Sequence, residues 1–531
     1  MPNDSTLSGV SAGDAQSVQS GPSGSGKLNS GQSDESPQPK TPISTDLQVT
    51  RSGLEELFGN CADLIFLPWN FGPDLSRRAL SVYFDTLIQK KTANYMKQAL
   101  QDLVTHEVGP GTEVTTEELA EYFEAHGVSS ESARMLGDFD SAVSKILDGY
   151  LVIFYDGWDK ALAFEATGLE TRQITEPANE SVVQGPREST VENLKKNIGL
   201  LRLRLKSAKF KLETTEGGGE TRTSVVYGYL EGVVDQEMLA EFKKRMEKIK
   251  DTEILETSYI EGLIQDSTYS PFPQYRYTER PDVAVASMLG GKIVVLVQGT
   301  GSMLICPGLF VELFQSSEDY YHRPVYATLI RWLRVCAFFI ALTLPSVYIA
   351  LTTFHSEMIP TVLLLTILDT REGVPFPAFF EALIMEFFFE LLREACIRLP
   401  RPVGSAVSIV GALVIGEAAI NAGLSSPIMV VVVALTGIAS FSIPQYNMAI
   451  ALRILRFPLM VLSALLGGFG LMCGLLAILW HLSTLRSLRH PYLGPIQPYR
   501  SKELQDVFVR MPIGKLNRSP RQTNRPGQEL Q

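Results

Sequence analysis

The chain has 531 residues, 45% of them hydrophobic, with a formal net charge of -11 and a pI near 5.3. Residues 1–324 carry 30 Lys and Arg against 47 acids, residues 325–480 carry eight Arg, eight acids and no Lys, and residues 481–531 carry nine bases against three acids. An acidic front, a neutral apolar stretch and a basic end exclude a nucleic-acid-binding pattern and point to an integral membrane protein.

Residues 1–50 are rich in Ser, Gly, Pro and Gln, with few large apolar residues, so a disordered arm without a secretory signal is expected. A short helical turn at 54–61 precedes two extended runs, 63–71 and 79–88, split by Gly72-Pro73-Asp74. Helical spacing follows at 92–104, at 115–126 behind a capping box, and at 139–147. Asp156-Gly157 then reads as a hairpin turn between 150–155 and 160–165. A basic helix at 189–206, strands at 209–214 and 223–230, a charged helix at 235–250 and a closing segment at 259–265 suggest a second, βαβ-like unit. The Pro-punctuated run 267–281 leads to a helix, a hairpin and a helix within 283–314. Gly299-Thr300-Gly301 sits between two strands, so it reads as a hairpin turn and not as a phosphate loop.

Five or six apolar segments fill the rest: 335–351, 358–368, 376–392, 403–422, 427–443 and 457–479. Segment 358–368 is short of the roughly 20 residues a crossing helix needs. It reads as re-entrant and buried among other helices, because lipid does not tolerate unsatisfied backbone. Arg323, Arg331 and Arg334 place the start of the first span inside, as Arg393, Arg398 and Arg401 do for a later loop. Arg453, Arg456 and the basic tail all favour the inside too, which a single crossing of 457–479 does not allow. A buried hairpin near 427–456 would reconcile them.

The reading gives two small α/β domains followed by an α-helical transmembrane domain with about 4–6 membrane-embedded helices, some re-entrant. Its divisions are the arm (1–50), two cytoplasmic α/β subdomains (51–177 and 178–270), a membrane-proximal connector (271–324), the transmembrane domain (325–480) and a basic, largely disordered cytoplasmic tail (481–531). Cys61, Cys306, Cys336, Cys396 and Cys473 have no metal spacing and read as small buried hydrophobes. The six histidines are dispersed, and Walker A, HExxH and nucleophile-elbow motifs are missing. No metal, cofactor or catalytic role is expected.

The informative polar residues lie in the apolar segments. A carboxylate there costs on the order of 2.5–3.5 kcal/mol on insertion and persists by pairing or by facing water. Glu386, Glu390 and Arg393 share one helix face, Glu381 lies around the helix from Glu386, and Glu417 falls within a Gly- and Ala-rich stretch. One reading pairs the acids internally with Arg331, Arg334, Arg453 or Arg456, and the other sets some of them along a hydrated cation path. For the second guanidinium beside Glu386 and Glu390, depth favours Arg331 or Arg334.

The string VVQGPRESTVENLKKNIGLLRLRLK at 182–206 resembles the A subunits of bacterial spore germination receptors, the GerA family. So do SPFPQYRYTERPD at 270–282, FQSSEDYYHRP at 314–324, ALTLPSVYIALTTFHSEMIPT at 341–361, the long run 371–420 and HPYLGPIQP at 490–498. The resemblance implies a multi-pass protein of the spore inner membrane with its large N-terminal region cytoplasmic. It further implies a homo-oligomer acting with an amino-acid-transporter-like, nutrient-binding B subunit and a lipoprotein C subunit. Membrane lipids surround such an assembly, and monovalent cations are its permeant species when a nutrient is sensed. A non-conducting scaffold, or an auxiliary sporulation-stage relative, is the alternative. Gln184, Gly185, Pro186, Arg187 and Glu188 form the family's QGPRES turn, expected to precede a helix capped by Ser189. The Arg187 and Glu188 charges are candidates for an inter-subunit contact or an intradomain salt bridge.

Overall fold

The computed structural model describes residues 41–71, 76–88, 134–168, 176–177, 179–400, 411, 413–500, 504, 506–512 and 514. Most of the expected arm, the helices expected at 92–104 and 115–126, the start of segment 403–422 and most of the tail beyond residue 500 lie outside the described residues.

Helix α1 (Leu47–Leu57) starts seven residues before the expected turn, because the Asp46 carboxylate accepts the Gln48 N–H at 2.8 Å and caps it. Strands β1 (Leu64–Phe71), β2 (Arg77–Phe84), β3 (Arg134–Leu136), β4 (Tyr150–Tyr155) and β5 (Ala161–Glu165) form an antiparallel sheet ordered β1-β2-β4-β5-β3. Gly157, at φ 81°, makes the β4–β5 turn. Helix α1 and helix α2 (Phe139–Leu147) cover one face, burying Leu54, Phe58, Ala142 and Ile146 against Val82, Phe84 and Phe154.

The second sheet contains β6 (Phe210–Gly217), β7 (Thr223–Leu230), β8 (Arg276–Thr278), β9 (Ile293–Val297) and β10 (Met303–Cys306), ordered β6-β7-β9-β10-β8. Every pairing is antiparallel, so the βαβ-like expectation is corrected. The continuous apolar run IVVLV of β9 is buried on both faces and pairs with β7, which draws strands from the expected connector into this sheet. Helices α3 (Leu194–Arg204) and α6 (Pro281–Leu289) cover one face; α4 (Gln236–Met246) and α5 (Thr257–Ile264) cover the other. Asn193 caps α3, not Ser189; the Ser189 and Thr190 hydroxyls donate instead to the Glu279 carbonyl.

A buried guanidinium helps to join the two sheets. Arg202 of α3 donates to both Asp63 carboxylate oxygens at 2.8 and 3.0 Å, and to the Phe210 carbonyl. Its guanidinium lies between the rings of Phe84 and Phe210, at 4.4 and 4.5 Å from their centroids.

The helical part comprises α7 (Pro324–Thr353), α8 (Thr361–Arg371), α9 (Ala378–Arg398), α10 (residues 413–421), α11 (Pro427–Phe441) and α12 (Tyr446–Thr484). Helices α7 and α12 are long and apolar enough to cross a membrane. Helix α12 breaks at Gly467, where φ is 61° and ψ is -139°. A Cβ on Gly470 would stand 2.1 Å from the Leu462 carbonyl oxygen, and one on Gly474 would stand 2.4 Å from Leu459. Residues before and after the break therefore touch, and α12 is a helical hairpin whose tight turn and seam require glycine. Its tip meets the far end of α7, where Gly468 N–H donates to His355 Nε2 at 3.2 Å. The second limb returns to the α/β region, where His481 bonds Ser270 at 2.8 Å and stacks on Phe272. Segment 457–479, expected as one clean span, is thus the turn and parts of two limbs. A hairpin is present, but later in the chain than the expected one near 427–456.

Two further expectations change. Helix α8 is largely uncovered among the described residues: Ile367 is buried, while Val362, Leu363, Leu365 and Leu368 are exposed. Among the cysteines, Cys306 is buried, but Cys336 and Cys473 stand on outward apolar faces. Apolar helices surrounded by lipid have no need to turn such residues inward.

Candidate functional site

A seam of charge runs through the helical part along α9. At the end nearest the α12 tip, the buried Glu381 accepts from Ser426 N–H and Oγ, each at 3.0 Å, where Ser426 caps α11. Arg371, at the end of α8, reaches 3.0 Å from Glu381 Oε1, an ion-pair contact without hydrogen-bond geometry. Glu386 meets Arg456 at 2.5 Å, both side chains fully buried, and Arg456 Nε donates to the Ala341 carbonyl of α7 at 2.9 Å. Glu390 pairs with Arg393 on its own helix, with Arg453 at 3.7 Å. Spacing of i, i+5 and i+9 along α9 delivers the three acids successively nearer the α/β region. Arg453 and Arg456, three residues apart on one limb of α12, serve the last two. The second guanidinium is therefore not Arg331 or Arg334.

Those two arginines do other work at the base of α7. Asp319 accepts from Arg331 Nε at 3.1 Å and from Arg334 Nη1 at 2.8 and 2.9 Å. Asp506, from the chain's end, accepts from Tyr320 Oη at 2.8 Å and stands 3.6 Å from Arg331. Burial, and then Asp506, push the Tyr320 hydroxyl up to about 12.

The QGPRES turn leans on this collar. Gly185, at φ 126°, lies against the Tyr321 ring; Val183 N–H donates to Glu318 at 2.6 Å; the Pro186 carbonyl accepts from Arg280 at 2.9 Å. Arg280 and Tyr321 both bond Asp282. Burial opposes the Asp282 charge, yet these two partners hold its carboxyl below the usual range. Arg187 pairs with Glu176 and Glu188 with Arg204, both within the chain, while Gln184 is exposed. Glu318 thus holds the turn while its neighbour Asp319 holds α7. Sequence reasoning overlooked Asp319; the signal was an Asp placed 12 and 15 residues ahead of two arginines.

Glu417 stands apart from the seam. It is exposed on α10 beside the exposed Leu413, Val414 and Ile420, while Gly416 and Ala419 are buried, and it has no ion-pair partner among the described residues. The described residues hold no cluster of three or more metal-ligating side chains.

An α/β region joined to a helical part, with two helices long and apolar enough to cross a membrane and ion pairs buried among the helices, fits a membrane-protein architecture. A model of the Bacillus/Clostridium GerA spore germination protein family matches residues 52–522. Spore germination protein KA of Bacillus subtilis (strain 168) is 42% identical over 470 residues, covering 88% of this chain and 85% of that one. Uncharacterized membrane protein YfkQ of the same organism is 41% identical over 481 residues, covering 90% and 91%. Spore germination protein GerLA of Bacillus cereus is 40% identical over 382 residues, covering 72% and 78%. The N-terminal domain of the A subunit of the Bacillus megaterium spore germinant receptor GerK3 aligns over 51% of this chain and 99% of its own, at 23% identity and a TM-score of 0.40. At that score the alignment carries no argument about fold, which rests here on the strand pairings. The chain belongs to the GerA family of spore germination proteins.

Proposed function

We propose that this chain is the A subunit of a nutrient germinant receptor in the spore inner membrane, and that copies of it surround a path for monovalent cations. Its α/β region faces the cytoplasm, α7, α9 and the limbs of α12 cross the bilayer, and B and C subunits complete the receptor. The role is a non-enzymatic one. The observation carrying the reading is Glu417: a carboxylate on the outward apolar face of α10 costs about 2.5–3.5 kcal/mol at mid-membrane unless water or a second copy meets it. Glu381, Glu386 and Glu390 are held by guanidinium groups of the same chain and act as the frame, not the path.

A second reading, a non-conducting scaffold that assembles sensor partners, draws on the same pairing, because it leaves few acids free to meet ions. Electrical recording of the chain reconstituted in planar bilayers with its B and C partners separates the two. Nutrient-dependent cation current supports the channel. Assembly without current leaves the scaffold.

A further inference from the structure

An apolar pocket of about 270 Å³ opens at the base of α7, beneath the segment around residue 507. Its walls include Phe310, Phe314, Val335 and Phe338, and its lining is apolar except for Gln315 and Arg331. Phe339 and Phe508 also line it, and both are partly exposed on the outer surface, so the pocket is continuous with the apolar face of the helices. Trp332, half exposed, meets Phe508 at a ring distance of 6.2 Å. Exposed Trp beside apolar surface is the composition of a membrane–water boundary.

Arg331 makes this more than a greasy hollow. Its side chain is 3% exposed, and its Nη2 has no hydrogen-bond partner among the described residues. Arg331 belongs to a cluster that, among the described residues, holds three guanidiniums, Arg331, Arg334 and Arg510, and two carboxylates, Asp319 and Asp506. The described cluster therefore holds one positive charge in excess. A buried donor without an acceptor is costly, and an anionic oxygen satisfies it best.

We infer that this pocket binds one anionic phospholipid, an acyl chain lying among the phenylalanines and the phosphate drawn to the Arg331 end. Charge complementarity selects an anionic head, and the opening between Phe339 and Phe508 admits a chain from the bilayer. The segment carrying Asp506, Val507 and Phe508 closes over the pocket, so the occupant would also pin the chain's end to α7. The inference rests on the membrane placement proposed above and is independent of conduction. Alkaline carbonate extraction of membranes tests that placement separately.

The test is native mass spectrometry of the full chain released from nanodiscs containing equal phosphatidylglycerol and phosphatidylcholine, with palmitate added in a parallel arm. The expected result is one phosphatidylglycerol retained per chain, about tenfold over phosphatidylcholine. Val335→Trp, which fills the pocket without touching the charges, should abolish retention. Phe508→Asp, at the partly exposed mouth, should do the same should Val335→Trp fold poorly. Equal retention of the two lipids, retention unchanged by Phe508→Asp, or palmitate bound in place of phosphatidylglycerol would overturn the assignment.

Discussion

The ring of Tyr321 fills the space that a side chain on Gly185 would need, since a Cβ there would stand 2.7 Å from the ring carbons. Gly185 also sits at φ 126°, which L-residues rarely adopt. Gly185→Ala should therefore unseat the QGPRES turn from the base of α7, at a cost of about 1–3 kcal/mol. Hydrogen exchange of the Val183 amide, which donates to Glu318, reports the change. Faster exchange is expected, with partial recovery when Tyr321→Ala removes the ring but not the backbone strain.

Glu386→Gln should lower the amount of folded protein, because it leaves Arg456 charged and fully buried without its partner. Breaking such a pair costs about 3–5 kcal/mol. The double change Glu386→Leu with Arg456→Met should return abundance toward the parent level, whereas Arg334→Gln should not, since Arg334 belongs to Asp319. Abundance measured by immunoblot on membrane fractions of each variant checks this. Recovery by Arg334→Gln would contradict the observed pairing.

Arg202→Lys should destabilise the α/β region nearly as much as Arg202→Ala. A lysine supplies neither the bidentate bond to Asp63 nor a planar group to fit between Phe84 and Phe210. The expected loss is about 3–5 kcal/mol, read by thermal unfolding of the detergent-solubilised chain. A conservative-looking change with no effect would show that the two sheets are held together elsewhere.

Glu253 gives a pH-dependent test. The Thr221 hydroxyl, with the amides of Gly219, Glu220 and Thr221, donates to its carboxylate and holds its pKa at about 2, below the usual carboxylate range. A depressed carboxyl stabilises the fold fully above the unfolded value, and that contribution disappears as pH falls toward the folded one. Exchange at the Gly219, Glu220 and Thr221 amides, corrected for intrinsic rates, should lose protection between about pH 4.5 and 2. In Glu253→Gln the protection should be lower at neutral pH and flat across that window.

Much of the fold is legible locally. Asp156-Gly157 and Gly299-Thr300-Gly301 announce their hairpins, because turn chemistry is written in adjacent residues. What is long-range is not. Nothing near β7 says that β9, some 60 residues on, will pair with it, so the second sheet looked complete without its later strands. Segment 457–479 reads as one span, whereas Gly467 within it is the turn of a hairpin, and period alone does not separate the two. In the seam, the spacing of Glu386 and Glu390 gave the shared face, but depth alone misplaced the guanidinium partners. Arg456 rather than Arg331 arrives because the limb of α12 lies against both α7 and α9.

Nutrient-triggered potassium release from spores carrying this chain with the B and C subunits proposed above tests the central claim most directly, with Glu417→Gln as the variant. Glu237→Gln, on the charged helix α4 far from the membrane helices in sequence, is the control. The account expects Glu417→Gln to reach parent abundance, since no ion pair is lost among the described residues, yet to change the rate or cation selectivity of release. Glu237→Gln should match the parent. Release unchanged in rate and selectivity for Glu417→Gln at parent abundance would contradict a cation path that this carboxylate meets.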